Sequence, residues 1–262
     1  MILAAFRSEW IKLRRPTLLY GTYAGLAAAA SLFAILMFTQ ATNKPGDSNG
    51  LPNLSDLAKP NGLVHGMSRA TILLGVVAFG LAAAQIAGEY GLGTLRQLLV
   101  RQPRRPVLLA GKYLAVITFM VGAVLFASVV ALGVSVVLAH ARHIPTGAWF
   151  SSAGVSDLTR ALLDLVLAVI GYATLGLAVG LFLRSSVFAV VAGFAWLLAI
   201  ESVIVRVVAS TNAWLPGTLL ETVGQGGTAT ASFSHALVVS VVYLVAIGIA
   251  TTLVFARKDV TA

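Results

Sequence analysis

The sequence predicts an all-α, polytopic membrane protein with about six transmembrane helices. Three observations carry that expectation. Hydrophobic residues make up 58% of the 262, with a mean hydropathy of +0.93. Charged residues make up only 10%, against roughly 25% in soluble domains. The apolar residues also gather into runs of about 20, the helix length that crosses ~30 Å of hydrocarbon. So few charges cannot solvate a globule of this size, and lipid is the solvent that fits. Length and lack of alternation favour helices over strands. Lipid further demands that backbone polar groups be satisfied within each segment.

The elements follow in order. Ile2 to Arg15 places Leu3, Phe6, Trp10 and Leu13 at helical spacings, with Arg7, Lys12, Arg14 and Arg15 largely off that stripe. Such a helix lies in the membrane interface, cations toward anionic headgroups. Pro16 then permits a sharp turn into the first span. The spans are expected at about Thr17–Thr39, Ser68–Ala87, Tyr113–Leu138, Ala161–Leu183, Val187–Ala209 and His235–Phe255. Between the first two, Gln40 to Met67 is rich in Pro, Gly, Asp, Ser and Asn and reads as a turn-rich loop without a core of its own. Another outer loop spans Ala139 to Arg160. Only Arg184-Ser185-Ser186 separates the fourth and fifth spans, which predicts a tight antiparallel hairpin.

Net charge is +9. The cations fall in short clusters between apolar runs, the pattern of topology determinants, whereas nucleic-acid binding needs them on one soluble face. With the N-terminus cytoplasmic, twelve Lys and Arg lie on the inner side and six on the outer. Both termini are therefore expected inside, in a cytoplasmic membrane. No cleavable signal peptide is evident.

The longest inner connection is Gly88 to Lys112. Thr94 to Gln102 can form about two helical turns, with Leu95, Leu98 and Leu99 on one side and Arg96 on another. Pro103 and Pro106 stop it. A short helix with an apolar ridge suits a groove on a soluble partner. A plain basic loop obeying the topology rule accounts for it equally well.

Glu89, Gly93-Thr94, Leu98-Leu99, Pro103-Arg104-Arg105 and Lys112 resemble the loop signature of ABC-2 type transporter permeases. Arg104 departs from it, a small residue being commoner there. Glu9-Trp10-Lys12-Leu13-Arg14-Arg15-Pro16 is similar to that family's N-terminal elbow helix. Phe255-Ala256-Arg257-Lys258-Asp259-Val260 is similar to its endings. The resemblance implies a homo- or heterodimer of permeases over two soluble ABC ATPase subunits that hold ATP and Mg. It implies that residues 88–112 form a coupling loop, in which Glu89, Gly93, Thr94, Leu95, Arg96, Leu98 and Leu99 dock the ATPase. It implies that residues 210–234 form a re-entrant segment on the outer side. It further implies export of a hydrophobic or amphipathic compound. Trp214, Leu219, Leu220 and Val223 make that outer segment too apolar for a plain loop, while Pro216 and Glu221 make it unfit to span.

An ionisable residue inside a span is a functional hypothesis by default. Glu201 lies about 22 Å above the Arg184–Ser186 turn at 1.5 Å per residue. It reads either as a buried ion pair, with Arg206 or a residue of another helix, or as a group on a transport path. In the second case the alternative function is an ion- or proton-coupled transporter with Glu201 as coupling acid. A third reading is an assembly or regulatory protein without transport. Asp164, four residues after Arg160, suits a local ion pair. Gly21, Gly25 and Ala29, then Gly80, Ala84 and Gly88, then Gly176 and Gly180, mark faces where helices can approach closely. No Walker A sequence, HExxH or nucleophile motif occurs, and there is no cysteine. The expectation is a transport subunit that is not itself an enzyme and holds no cofactor or metal.

Overall fold

The structure, a computed structural model, describes residues 2–41, 52–91 and 104–257. Among these the chain is helical. Helix α1 is Ile2–Leu13 and α2 Pro16–Gln40; α3 is Leu54–Leu57 and α4 His65–Arg69. Then come α5, Thr71–Gly91; α6, Arg105–Ala141; and α7, Ser152–Leu183. The remaining described helices are α8, Ser186–Phe194; α9, Glu201–Val207; α10, Pro216–Gly224; and α11, Phe233–Arg257. A π-helical stretch, Ala195–Ile200, joins α8 to α9. Among the described residues six segments are long and apolar enough to cross a membrane: Pro16–Gln40, Thr71–Gly91, Arg105–Ala141, Ser152–Leu183, Ser186–Val207 and Phe233–Phe255.

The expected spans coincide in order and differ in length. The third and fourth extend at their ends to 37 and 32 residues, because Lys112 and the polar turn of α7 do not interrupt helical hydrogen bonding. Proline opens α2, α6 and α10 within their first turns, where its missing N–H costs nothing. The α7–α8 turn is as tight as expected: Arg184 takes a left-handed conformation (φ 55°), and the Ser185 hydroxyl accepts from the Phe188 N–H.

Helix α5 is the central element. It packs along α7 on one side and α8 on another. Small residues set the first contact: a Cβ on Gly176 or Gly180 would overlap the backbone carbonyl oxygen of Phe79 or Ala83. Helix α6 carries α1 and α2. Among the described residues, Gly21 and Gly25 meet nothing within 4 Å of a built Cβ, so that face of α2 packs on none of them. Helix α11 is the least enclosed span, with 11% of its apolar window buried.

The first outer loop departs from expectation. Leu57 and Leu63 are buried with Phe38, Ala139, Ile144 and Trp149 in a second core. The Trp149 indole N–H donates to the Leu57 carbonyl at 2.9 Å, and its ring meets Phe38 edge-on. Arg142 donates to the Phe38 carbonyl at the C-terminus of α2, where a cation complements the helix dipole. Two loops that are each polar by composition share a core that neither holds alone.

Candidate functional site

Two carboxylates and two ammonium groups meet at the α1 end of the bundle. On α1, Glu9 and Lys12 stand three residues apart, a spacing that brings side chains together on a helix. Glu89 sits near the C-terminus of α5 and Lys112 in the second turn of α6. Lys112 Nζ lies 2.6 Å from Glu9 Oε2 and 2.7 Å from Glu89 Oε1. Lys12 Nζ lies 2.8 Å from Glu9 Oε1 and 2.7 Å from Glu89 Oε1. The charges alternate around a ring and sum to zero. Both Lys112 and Glu9 side chains are 2% exposed, while Lys12 is 34% exposed and is the ring's opening to solvent.

Gly111 makes this possible, since a Cβ there would press on Ala5 Cβ and the Phe6 amide. Without one, α1 lies close enough to α6 for Lys112 to reach Glu9. Burial opposes ionisation of Glu9, but the charges and hydrogen bonds of Lys112 and Lys12 outweigh it and hold its carboxyl below the usual range. Burial likewise opposes the charge on Lys12, and Glu89 and Glu9 outweigh it and raise its pKa. Glu89 Oε2 is buried with no hydrogen-bond partner among the described residues. An unpartnered acceptor beside a satisfied one marks Glu89 as the asymmetric member of the ring.

The inward face of α1 differs from the apolar stripe read in the sequence. Ala5, Glu9 and Leu13, spaced by four, are buried, and Leu3 is 72% exposed. Glu9 replaces the expected apolar contact because Lys112 waits on α6 to neutralise it. Trp10 stacks on Phe6 with ring centroids 5.7 Å apart and meets Phe119 edge-on. Arg14 and Arg15 are exposed. Gly93, Thr94, Leu95, Arg96, Leu98 and Leu99 lie outside the described residues. Hydropathy gave no sign of the four-charge ring. The signals were the Glu9–Lys12 spacing and the presence of Glu9, Lys12, Glu89 and Lys112 among the residues that carry the resemblance.

The second constellation centres on Glu201, 1% exposed at the start of α9. The structure does not pair it with Arg206, which is exposed. Five residues at 100° each place Arg206 roughly 140° around the helix from Glu201. The carboxylate instead accepts from the Trp196 indole N–H at 2.7 Å, the Gly217 amide at 3.1 Å and the Thr218 amide at 3.0 Å. Those amides belong to the first turn of α10, where free N–H groups and the helix dipole favour an anion. Gly217 is required, as a Cβ would stand 2.6 Å from Glu201 Oε2. The Tyr172 hydroxyl donates to the Gly217 carbonyl at 2.8 Å, tying the same turn to α7.

Leu219, Leu220 and Val223 bury the apolar side of α10 against α7 and α11. Leu220 fills the space over Gly171. The helix therefore sits roughly 17–23 Å from the Leu183 end of α7 at 1.5 Å per residue. Burial pushes the Glu221 carboxyl on α10 up, with Arg69 opposing.

No curated protein matches the chain significantly. A family model described as "Protein of unknown function (DUF2705)" matches residues 26–261, nearly the whole chain. That match takes in every candidate span but the start of α2, and both Glu89 and Lys112. The chain belongs to the DUF2705 family.

Proposed function

We propose that this chain is the permease subunit of an ATP-driven ABC-2 type exporter of a hydrophobic or amphipathic compound. The observation that supports it most is the four-charge ring. Glu9 and Lys12 come from the segment that resembles an elbow helix. Glu89 and Lys112 come from the two ends of the segment that resembles a coupling loop. Their ion pairs tie α1 to both stems of residues 92–103, so force applied to that loop is passed to α1, α5 and α6 together. A buried, hydrogen-bonded charge ring is suited to that task because breaking one member leaves an uncompensated charge.

In this reading the loop faces the cytoplasm, with both termini, as the distribution of Lys and Arg favours. A separate soluble ATPase subunit binds ATP and Mg, and Leu95, Arg96, Leu98 and Leu99 seat the loop in it. A second permease subunit completes the path. The thinly covered faces of α2, α8–α9 and α11 offer surface for lipid and for that subunit. Helix α10 dips from the outer side as a re-entrant element, with its apolar side buried against α7 and α11.

Glu201 as a coupling acid is the weaker reading, since three donors already engage its carboxylate. The test is co-purification of the chain with a soluble Walker-motif ATPase, sought first in the adjacent reading frames. Leu98→Asp and Arg96→Glu are expected to abolish the complex and ATP-dependent transport. Retention of both, or labelling of residue 96 from the extracytosolic side, overturns the reading.

A further inference from the structure

The start of α6, the end of α7 and the C-terminal half of α11 border a groove of about 440 Å³. Leu109 of α6, Ile170 and Leu177 of α7 and Leu244 of α11 give it apolar walls. A Cβ on Gly248 would meet nothing within 4 Å, so α11 leaves the space open at that turn. Val241 and Val245 also line the groove and are exposed. It therefore opens sideways, toward the hydrocarbon that a span faces.

Tyr113, Thr174, Thr251 and Thr252 bring hydroxyls to this apolar space. Thr174 donates to the Ile170 carbonyl at 2.7 Å, which leaves Tyr113 to donate to Thr174 Oγ1 at 2.8 Å. Thr252 donates to the Gly248 carbonyl at 2.8 Å. Thr251 differs. It is 6% exposed, yet its Oγ1 has no hydrogen-bond partner among the described residues. A helical threonine ordinarily bonds the carbonyl four residues back, as Thr118, Thr159 and Thr174 do here. Leaving a buried hydroxyl unpaired is costly, so its place in the wall points to an acceptor inside the groove. Ser240, also buried and unpartnered on α11, does not line it.

We infer that this groove holds one acyl chain of a membrane glycerolipid, whose ester carbonyl accepts from the Thr251 hydroxyl. The length fits. From Val241 to Thr252 the lining of α11 runs about 16 Å at 1.5 Å per residue, half of ~30 Å of hydrocarbon and so the reach of one leaflet's chain. The depth fits as well. Thr251 lies about 9 Å from the Arg257 end of α11, where a headgroup region of roughly 5–7 Å gives way to chains. The leaflet is the one on the charge-ring side, since Arg105 at the start of α6 donates to the Phe255 carbonyl. Among the described residues no cation lines the groove. A carboxylate would be buried there unpaired, which is far costlier than burying a neutral ester. The inference rests on α11 crossing a membrane and not on the transport reading.

The test is native mass spectrometry of the full chain purified in a maltoside detergent. One phospholipid per chain is expected to survive exhaustive detergent washing. Gly248→Leu fills the groove with its own side chain and is expected to lower that retention at least about tenfold, with the melting temperature no lower. Ser240→Ala is expected to retain lipid as the wild type does. The hydroxyl is tested by adding back diester and diether phosphatidylglycerol of equal chain length. The wild type is expected to hold the diester about three- to tenfold more tightly, and Thr251→Val to hold the two equally. The ester-against-ether comparison on the wild type decides the matter if Gly248→Leu fails to fold. The inference is overturned if the wild type keeps neither lipid or holds both alike, or if Thr251→Val preserves the preference. It is likewise overturned if Gly248→Leu retains lipid at the wild-type level, or if added oleate is retained in place of the phospholipid.

Discussion

Glu89 and Lys112 are 23 residues apart in sequence and 2.7 Å apart in space, each also bonded to a residue of α1. The contact closes the base of the segment between α5 and α6 and fastens it to the N-terminal helix. Ion pairs of this kind are poor sources of net stability, because desolvation offsets attraction. They are severe when half-removed.

Lys112→Met leaves Glu9 and Glu89 with one ammonium between them and is expected to cost about 3–5 kcal/mol of stability. Glu89→Gln keeps an acceptor for Lys112 and is expected to cost less, about 1.5–3 kcal/mol. The double variant Glu89→Gln with Lys112→Met is expected to recover part of the loss, since Glu9 and Lys12 retain each other. Unfolding of the three variants in detergent gives the coupling energy directly. Additive costs would mean that the two residues do not act as a pair.

The ring sets a pH window. Glu9 has its folded pKa below the ordinary carboxyl value of about 4.3. Its stabilisation is therefore complete above that value and is lost as pH falls through the lower, folded one. Lys12 has its folded pKa above the ordinary value of about 10.4. Its contribution is complete below that and is lost only as pH rises through the higher, folded value. The melting temperature is thus expected to hold level between about pH 5 and 10 as far as these groups govern it. Glu9→Gln is expected to flatten the acid limb. A wild-type acid limb in the variant would show that other carboxyls set it.

Six apolar runs were enough to read the spans, because a bilayer imposes one length on every helix that crosses it. The site was legible only in pieces. The apolar stripe of α1 points to Leu3 and away from Glu9, yet Leu3 is exposed and Glu9 buried. Periodicity records side-chain polarity and says nothing of a lysine waiting on another helix. Glu201 stood out as an acid inside a span, but its partners are backbone amides of α10, which carry no signature in side-chain identity. The shared core of Leu57, Leu63 and Trp149 was hidden likewise, split between two loops of which the first reads as too turn-rich to have one.

Glycine positions separate internal packing from outward faces. Gly176→Ala and Gly180→Ala drive a methyl into the backbone of α5, which cannot rotate away. Each is expected to destabilise by about 1–3 kcal/mol. Gly21→Ala and Gly25→Ala meet nothing among the described residues and are expected to raise helix stability by up to about 1 kcal/mol. Should the Gly21 and Gly25 substitutions leave the monomer stable but reduce a cross-linked dimer of the wild type, the α2 face is a contact between copies. A dimer yield that does not change assigns that face to lipid.

The last prediction concerns the hold of Glu201 on α10. Three hydrogen bonds reach its carboxylate, two from the first turn of a nine-residue helix. A helix of that length is marginal by itself, so its order depends on what fastens its ends. Glu201→Gln swaps one carboxylate oxygen for an amide nitrogen, which cannot accept from an N–H. Hydrogen bonds to charged groups contribute about 1.5–3 kcal/mol each. Loss of one is expected to speed amide hydrogen exchange across 216–224 by about ten- to a hundred-fold. Arg206→Gln, at an exposed side chain, is expected to leave that exchange unchanged. Trp196→Phe removes the third donor while sparing both backbone bonds, so its effect on exchange is expected to be smaller. If Glu201→Gln abolishes transport while exchange across 216–224 stays at the wild-type rate, the carboxylate acts on a moving ion and not on the helix. If exchange rises and transport falls together, the anchoring of α10 is what transport requires.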